Sequence, residues 1–414
     1  MPESFSGIFR VLILAALLGT ACSPRLRTER FVLPQAAPGV AAPAQRAFAA
    51  SPCNSWEGYV PDPAHPDHLR LRTLRVNVHV LDNAAGNAHR PKDSLRTFVH
   101  ELLRLSNAEL DTNAFNWRSP WGTPVLPKGF RYQLTPQAHI PGDEGIYFHY
   151  DDTLYYFVSM GKHQNNHTRT VVDKYGIGTD SIVNIFLLVH HPDSMRSPTY
   201  RANGQGIALG TALKMAGVLE SNEGPRSFDG LLNHEIGHIL SLSHAWSYDG
   251  CSDTNDHPNK CWDWTPHPPC NEQATNNMMD YNAYQMALTP CQIGKVHAVF
   301  SNERSPVRNC LVPEWCTLHR DREIVIADTV AWTGARDLDG HLTLAPGGSL
   351  RLSCRVSLPP GGRITVQPGA VLWLDGCRLH NACGKTWQGI FIEEKNGLRG
   401  EVRVLRPPVL ENLD

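Results

Sequence analysis

Between positions 227 and 244 the chain reads SFDGLLNHEIGHILSLSH, and its three histidines are spaced for a metal. His234 and His238 are four residues apart, so on a helix they stand one turn above the other on the same face. Leu232, Ile236, Ile239 and Leu240 fall on the opposite side. Such a helix has one apolar face for a core and one face that aims two imidazoles at a cleft. Glu235 follows His234 directly, within reach of a water on the same metal without being a ligand. His244 lies ten residues after His234, beyond the point where the helix must end and the chain turn back. Two helical imidazoles and a third from a returning loop supply three ligands of a tetrahedral zinc and leave the fourth position for water. The bland alternative is three satisfied surface or core histidines, and it leaves this spacing to coincidence.

The run His234-Glu235-Ile236-Gly237-His238-Ile239-Leu240-Ser241-Leu242-Ser243-His244 resembles the H-E-x-x-H-x-x-G-x-x-H motif of the metzincin zinc metalloproteases. Ser241 stands where that family has a glycine that lets the chain turn sharply. It is expected either to adopt a left-handed conformation, at a cost of roughly 1–2 kcal/mol, or to open the turn. Further on, Asn277-Met278-Met279-Asp280-Tyr281 resembles the N-x-M-D-Y Met-turn of the pappalysin-like branch. Leu288-Thr289-Pro290-Cys291-Gln292 is similar to the segment leading into that branch's C-terminal helix. The loop from Cys251 to Cys270, with Trp262-Asp263-Trp264-Thr265-Pro266, is similar to its cysteine-bearing insert.

The resemblance is sharp over 227–301, diffuse over 73–226, and says nothing of 320–414. It implies an α/β (α+β) metzincin-type catalytic domain with a mixed twisted sheet and an active-site helix. It implies one catalytic Zn2+ on His234, His238 and His244, with Glu235 as general base in peptide-bond hydrolysis of a protein or peptide substrate. Tyr281 would add a hydrogen bond to the oxyanion and Met279 would form the hydrophobic floor beneath the metal. Calcium is compatible with this branch, but no calcium-loop pattern indicates it. Substrate is expected as an extended strand along a sheet edge. The segment 205–219 (QGIALGTALKMAGVL) is the candidate edge, with a buried connection as the alternative.

The elements that must position these residues are partly legible. Leu74, Val76, Val78 and Val80 alternate with polar residues and predict a strand over 73–81. Leu95, Phe98, Val99, Leu102 and Leu103 predict a helix over 93–107, with Asp93 or Ser94 as cap. Short strands are expected at 145–149 and 154–159, and the apolar run 182–189 reads as a buried central strand. This region, 67–312, is the expected protease domain. Residues 23–66 are rich in Pro and Ala and read as a tether or short pro-segment. Over 320–414, LTLAPGGSLRLSC (342–354) can be laid on ITVQPGAVLWLDGC (364–377) with a shift of 22 and one inserted residue. That repeat predicts a small all-β domain resembling a short parallel β-helix, with an ordinary β-sandwich as the alternative.

The chain has 414 residues, net charge −2, 41% hydrophobic residues and 10 Trp, which excludes a disordered chain and suits two domains. No basic run is present, so no nucleic-acid partner is expected. The one long apolar run, 11–18, follows Arg10 and is too short to span a bilayer. Residues 1–22 therefore read as a signal segment. Cleavage after Ala21 and a loose lipobox with Cys22 as lipid anchor are both open, and either makes the protein exported: extracellular, or a bacterial cell-surface or outer-membrane lipoprotein. Cys22 apart, Cys53, Cys251, Cys261, Cys270, Cys291, Cys310, Cys316, Cys354, Cys377 and Cys383 form an even set with no C-x-x-C pair and read as disulfides. Cys53 has a second reading as a latency thiolate on the zinc. His190 and His191 read as polar surface residues. The expected function is a secreted or surface-anchored zinc endopeptidase. The alternative is an adhesin-like binding protein on an inert metzincin scaffold, whose repeat domain makes contacts with an unknown partner.

Overall fold

The computed structural model describes residues 25–33, 53, 55–88, 91–200, 203–220, 222–257, 275–281 and 284–414. The signal segment with Cys22, most of the Pro/Ala-rich stretch, and the Trp262–Pro266 part of the insert with Cys261 and Cys270 lie outside the described residues. No helix among the described residues is long and apolar enough to cross a membrane.

Strand β1 (Arg27–Arg30) comes first in the chain but belongs to the last sheet described below. Strand β2 (Arg72–Asp82) is the axis of the first sheet. It leads to helix α1 (Lys92–Asp111), then β3 (Phe130–Leu134), β4 (Ile146–Tyr150) and the two-residue β5 (Tyr156–Phe157). Helix α2 (Thr170–Tyr175), β6 (Val183–His190), α3 (Pro192–Met195), β7 (Gln205–Ala208) and β8 (Ala212–Ala216) follow. The sheet runs β3-β2-β6-β8-β7, with β4 beside the second half of β2 and β5 beside the end of β6. Its pairings are parallel except β7 against β8, so the mixed α/β expectation holds.

The residues that alternate with Leu74, Val76, Val78 and Val80 along β2 are polar, yet nearly all of the strand is buried. The difference is a polar layer that is hydrogen-bonded rather than solvated. His79 Nε2 lies 3.0 Å from Asn77 Oδ1 and 2.9 Å from Asn184 Oδ1, while its Nδ1 lies 2.9 Å from His149 Nε2. Two amide oxygens fix the proton on Nε2, so His149 is the donor to Nδ1. Helix α1 is longer than predicted, and neither Asp93 nor Ser94 caps it. Pro91 occupies the cap position, and its carbonyl accepts the Leu95 N–H at 3.1 Å with no side-chain cap. The strand expected at 154–159 is reduced to β5.

Helix α4 (Asp229–Ile239) carries the first two histidines. Helix α5 (Pro290–Ser301) opens with a full capping box between Thr289 and Gln292, and α6 (Pro306–Asn309) is a single turn. The remaining chain coils through three parallel sheets. Its first turn is β9 (Ile324–Ile326), β10 (Thr329–Trp332) and β11 (Arg336–Asp337). The second is β12 (Leu342–Leu344), β13 (Ser349–Leu352) and β14 (Arg355–Ser357). The third is β15 (Arg363–Val366), β16 (Val371–Asp375) and β17 (Arg378–His380). The last is β18 (Gly389–Lys395), β20 (Glu401–Arg406) and β21 (Val409–Leu410), with β19 (Leu398–Arg399) folded back on β18. Leu342 pairs with Ile364 and Leu350 with Leu372, a shift of 22, and Val356 pairs with Leu379, one more. Ile324, Leu342, Ile364 and Ile390 stack through its core.

Part of the segment read as a tether is structured: β1 lies antiparallel on β18, and 310 turns form at Trp56–Tyr59 and Pro66–His68. Disulfides Cys53–Cys354 and Cys316–Cys383 tie the coil to the rest, and Cys251–Cys291 ties the loop after the third histidine to α5. Such bonds fit an oxidising compartment. Cys53 is thereby a disulfide partner, while Cys310 and Cys377 are buried free thiols, so the even count overstated the framework.

A buried ion cluster joins the coil to the end of α5. Asp337 receives Arg308 at 2.6 and 2.9 Å and Arg355 at 2.5 and 3.2 Å. Arg308 and Arg355 also donate to the carbonyls of Phe300 and Ser301 at the end of α5, and Arg308 lies over the Trp315 ring. Burial pushes the Asp337 carboxyl up, but the Arg355 and Arg308 guanidiniums outweigh it and hold it well below the usual carboxylate range. Asp337→Ala leaves buried guanidiniums uncompensated and should lower stability by about 3–5 kcal/mol in urea unfolding. A carboxylate with a depressed folded pKa stabilises fully above its unfolded value of about 3.9 and loses that contribution as the pH falls further. The stability gap between wild type and Asp337→Asn should therefore narrow below about pH 4.

Candidate metal centre

The spacing of the motif becomes geometry through α4 and the turn that ends it. His234 and His238 sit on one face of the helix, and their Nε2 atoms are 3.1 Å apart. The helix stops at Ile239, and Ser241 has φ of 66°, the left-handed conformation that the missing glycine demanded. The Leu242 N–H reaches the Gly237 carbonyl and the Ser241 N–H the His238 carbonyl, each at 3.0 Å, which closes a Schellman turn. That turn delivers His244, whose Nε2 is 3.1 Å from His238 Nε2.

Proton positions decide what these three nitrogens can do. His234 Nδ1 lies 2.8 Å from the Met278 carbonyl, and His238 Nδ1 lies 2.9 Å from the Leu242 carbonyl. A carbonyl only accepts, so each ring carries its proton on Nδ1 and presents a bare lone pair at Nε2. Burial lowers the pKa of His234 to about 3 and that of His244 to about 4, each helped by the His238 charge, and burial lowers His238 as well. The rings are therefore neutral at pH 7. Bare nitrogen lone pairs at 3.1 Å repel one another unless a cation lies among them. Tetrahedral zinc with Zn–N of 2.0–2.1 Å separates its nitrogens by about 3.3 Å, so the donor set fits that ion.

Glu235 is buried, and burial raises its carboxyl to about 8, partly offset by a hydrogen bond with the Ala208 backbone. Strand β7 runs over it because Gly206 has no side chain: a Cβ there would lie 2.6 Å from Glu235 Cδ. The segment 205–219 is thus both things the sequence left open. Its first part, β7, is the edge strand over Glu235, and its second part, β8, is buried. Met279 is fully buried beneath α4, and a Cβ at Gly237 would overlap its sulfur. Tyr281 stands edge-on to His244 with ring centroids 4.5 Å apart. Its hydroxyl pKa is raised by burial and by the Glu235 charge.

All six residues singled out from the sequence are gathered here. Two more, Gly206 and Ala208, fall within the candidate edge 205–219, and two, Trp246 and Gln285, were missed. Gly206 and the Ala208 backbone contact Glu235; Trp246 stacks on His244 at 5.2 Å; and Gln285 lies 3.2 Å from His234 Nδ1 while donating to the Asp280 carbonyl at 2.6 Å. Trp246 alone had a signal, an aromatic two positions after the third histidine. His190, read as a surface residue, is buried: its Nδ1 lies 2.6 Å from the Tyr200 hydroxyl and its Nε2 3.1 Å from the Asn203 carbonyl.

No family model matches the chain, and no curated protein matches it. Among solved structures it is similar to Tannerella forsythia mature mirolysin in complex with a cleaved peptide, at 17% identity and a TM-score of 0.41, covering 57% of this chain and 94% of that one. Mirolysin in complex with compound 9 matches at 16% identity and a TM-score of 0.39, covering 58% and 96%. A Tannerella forsythia promirolysin mutant matches at 15% identity and 0.38, covering 58% and 84%.

Two substitutions test the local geometry. Ser241→Gly should stabilise the protein by about 1 kcal/mol, since glycine removes the left-handed penalty. Gly237→Ala should destabilise it by about 1–3 kcal/mol by driving Met279 from its seat. Urea midpoints measure both.

Proposed function

We propose that the protein is an exported zinc-dependent endopeptidase of the metzincin type, in its pappalysin-like branch. The observation that carries this reading is the convergence of three imidazole Nε2 atoms beside a buried glutamate under an edge strand. His234, His238 and His244 would hold the ion. A zinc ion held there would supply Lewis acidity for the scissile carbonyl and would make water acidic enough to lose a proton near neutrality. Glu235 takes that proton as the water attacks and passes it to the leaving amine. The Ala208 N–H holds its carboxylate in place, and a cation on the neighbouring imidazoles would favour its ionised, proton-accepting form. The Tyr281 hydroxyl donates to the carbonyl oxygen as negative charge develops there.

Strand β7 pairs only with β8 among the described residues, so its other edge can take an extended peptide by main-chain hydrogen bonds. Gly206 lets that strand lie close enough to Glu235 for the peptide and the base to meet. The left-handed Ser241 supports an active centre over the inert-scaffold alternative, because the turn that needed glycine forms without it. We further read the C-terminal coil as a short parallel β-helix, and the chain as either freely secreted or anchored through Cys22.

Casein or gelatin hydrolysis by the full chain, with zinc content measured in parallel, tests the reading. Glu235→Gln should keep zinc and lose about 10²–10⁴-fold in turnover, whereas His238→Ala should lose both. Tyr281→Phe should lower kcat about 10²-fold and leave zinc in place. Near-normal proteolysis by Glu235→Gln contradicts the assignment of the base.

A further inference from the structure

A second cluster of metal-ligating side chains lies away from α4, where the connection after β5 meets the one after β6. His163, His191 and Asp193 place one donor atom each within 4.8 Å of one another. Both histidines face the same carboxylate oxygen: His163 Nε2 lies 3.7 Å and His191 Nδ1 4.0 Å from Asp193 Oδ2. The other oxygen, Oδ1, is held by Arg196, which fixes the carboxylate and leaves Oδ2 to the histidines. His191 Nδ1 accepts the Asp193 N–H at 3.1 Å, so that nitrogen carries no proton. The ring of Tyr156 stands at 90° to His191, 4.5 Å away, and sets its plane.

His163 supplies an independent sign. Its φ is 70°, one of four non-glycine residues with positive φ among the described residues. Backbone strain of this kind persists where the surroundings hold a side chain in a particular place. Here that place is face to face with His191, with centroids 4.5 Å apart.

The geometry points to a second site, at His163, His191 and Asp193, for a borderline divalent metal ion of the zinc type. Two imidazoles and one carboxylate favour such an ion over calcium or magnesium, which take oxygen ligands. Ligands around zinc are about 3.3 Å apart, so the observed separations need to close by roughly half an ångström or more. His163 is a third exposed, which leaves its ring room to shift toward Asp193. The ion would staple the chain between β5 and α2 to the connection that enters β7, and so steady the edge strand over Glu235. The site stands independently of the zinc proposed at α4.

The test counts zinc in the full chain after dialysis against about 1 μM free zinc. Wild type should hold about two ions and His238→Ala about one. The His163→Ala/His191→Ala double variant should hold about one, and so should Asp193→Asn, a nearly isosteric change that guards against a folding defect. In the His238→Ala background, added zinc should raise Tm, and the rise should vanish when His163 and His191 are also replaced. Equal zinc in wild type and in the double variant overturns the inference. Zinc retained by His238→Ala but absent from the double variant would leave this site standing and remove the one at α4.

Discussion

Three imidazole Nε2 atoms crowded together, those of His234 and His238 without a proton, are the constraint on which the rest of this molecule turns. The Met278 and Leu242 carbonyls take the Nδ1 protons of His234 and His238, so the facing Nε2 lone pairs at 3.1 Å repel, and a cation among them relieves that repulsion. Everything that brings the nitrogens together works against that repulsion. The 3.6-residue period of α4 sets two of them, and the left-handed Ser241 sets the third. Gly237 lets Met279 lie directly beneath the helix, which brings the neighbouring Met278 carbonyl to His234.

The constraint reaches the C-terminal coil through a continuous set of contacts. Asn277 receives the Met279 N–H at 2.8 Å and exchanges hydrogen bonds of 2.9 and 3.1 Å with the Gln292 amide. Gln292 is the capping-box residue of α5, and the far end of α5 is held by Arg308 and Arg355 through the Phe300 and Ser301 carbonyls. Those arginines converge on Asp337 in the first turn of the coil. The coil thus braces the helix from which the turn beneath the histidines is hung. Two disulfides reinforce the same junction.

What the sequence made legible is what covalent spacing alone determines. His234 and His238 share a face because any α-helix puts them there, and the shift of 22 is the register of β12 on β15 because successive turns of a coil repeat their corners. What stayed hidden depends on distant chain. Gly206 has meaning only once β7 lies over Glu235, and Asp337 only once α5 and the coil meet. Strand β1 joins β18 across most of the chain, and no local pattern in Arg27–Arg30 announces it. That the polar positions of β2 are buried was equally hidden, because the amide and imidazole groups that satisfy one another there come from different strands. The cysteine count misled because Cys310 and Cys377 are packed as small apolar residues.

The most direct test of the central claim is zinc-edge X-ray absorption on the full chain in the His163→Ala/His191→Ala background, loaded with one equivalent of zinc. The account predicts three imidazole nitrogens at about 2.0–2.1 Å and one further light-atom ligand. A spectrum with fewer imidazoles, or with sulfur in the coordination shell, would contradict it.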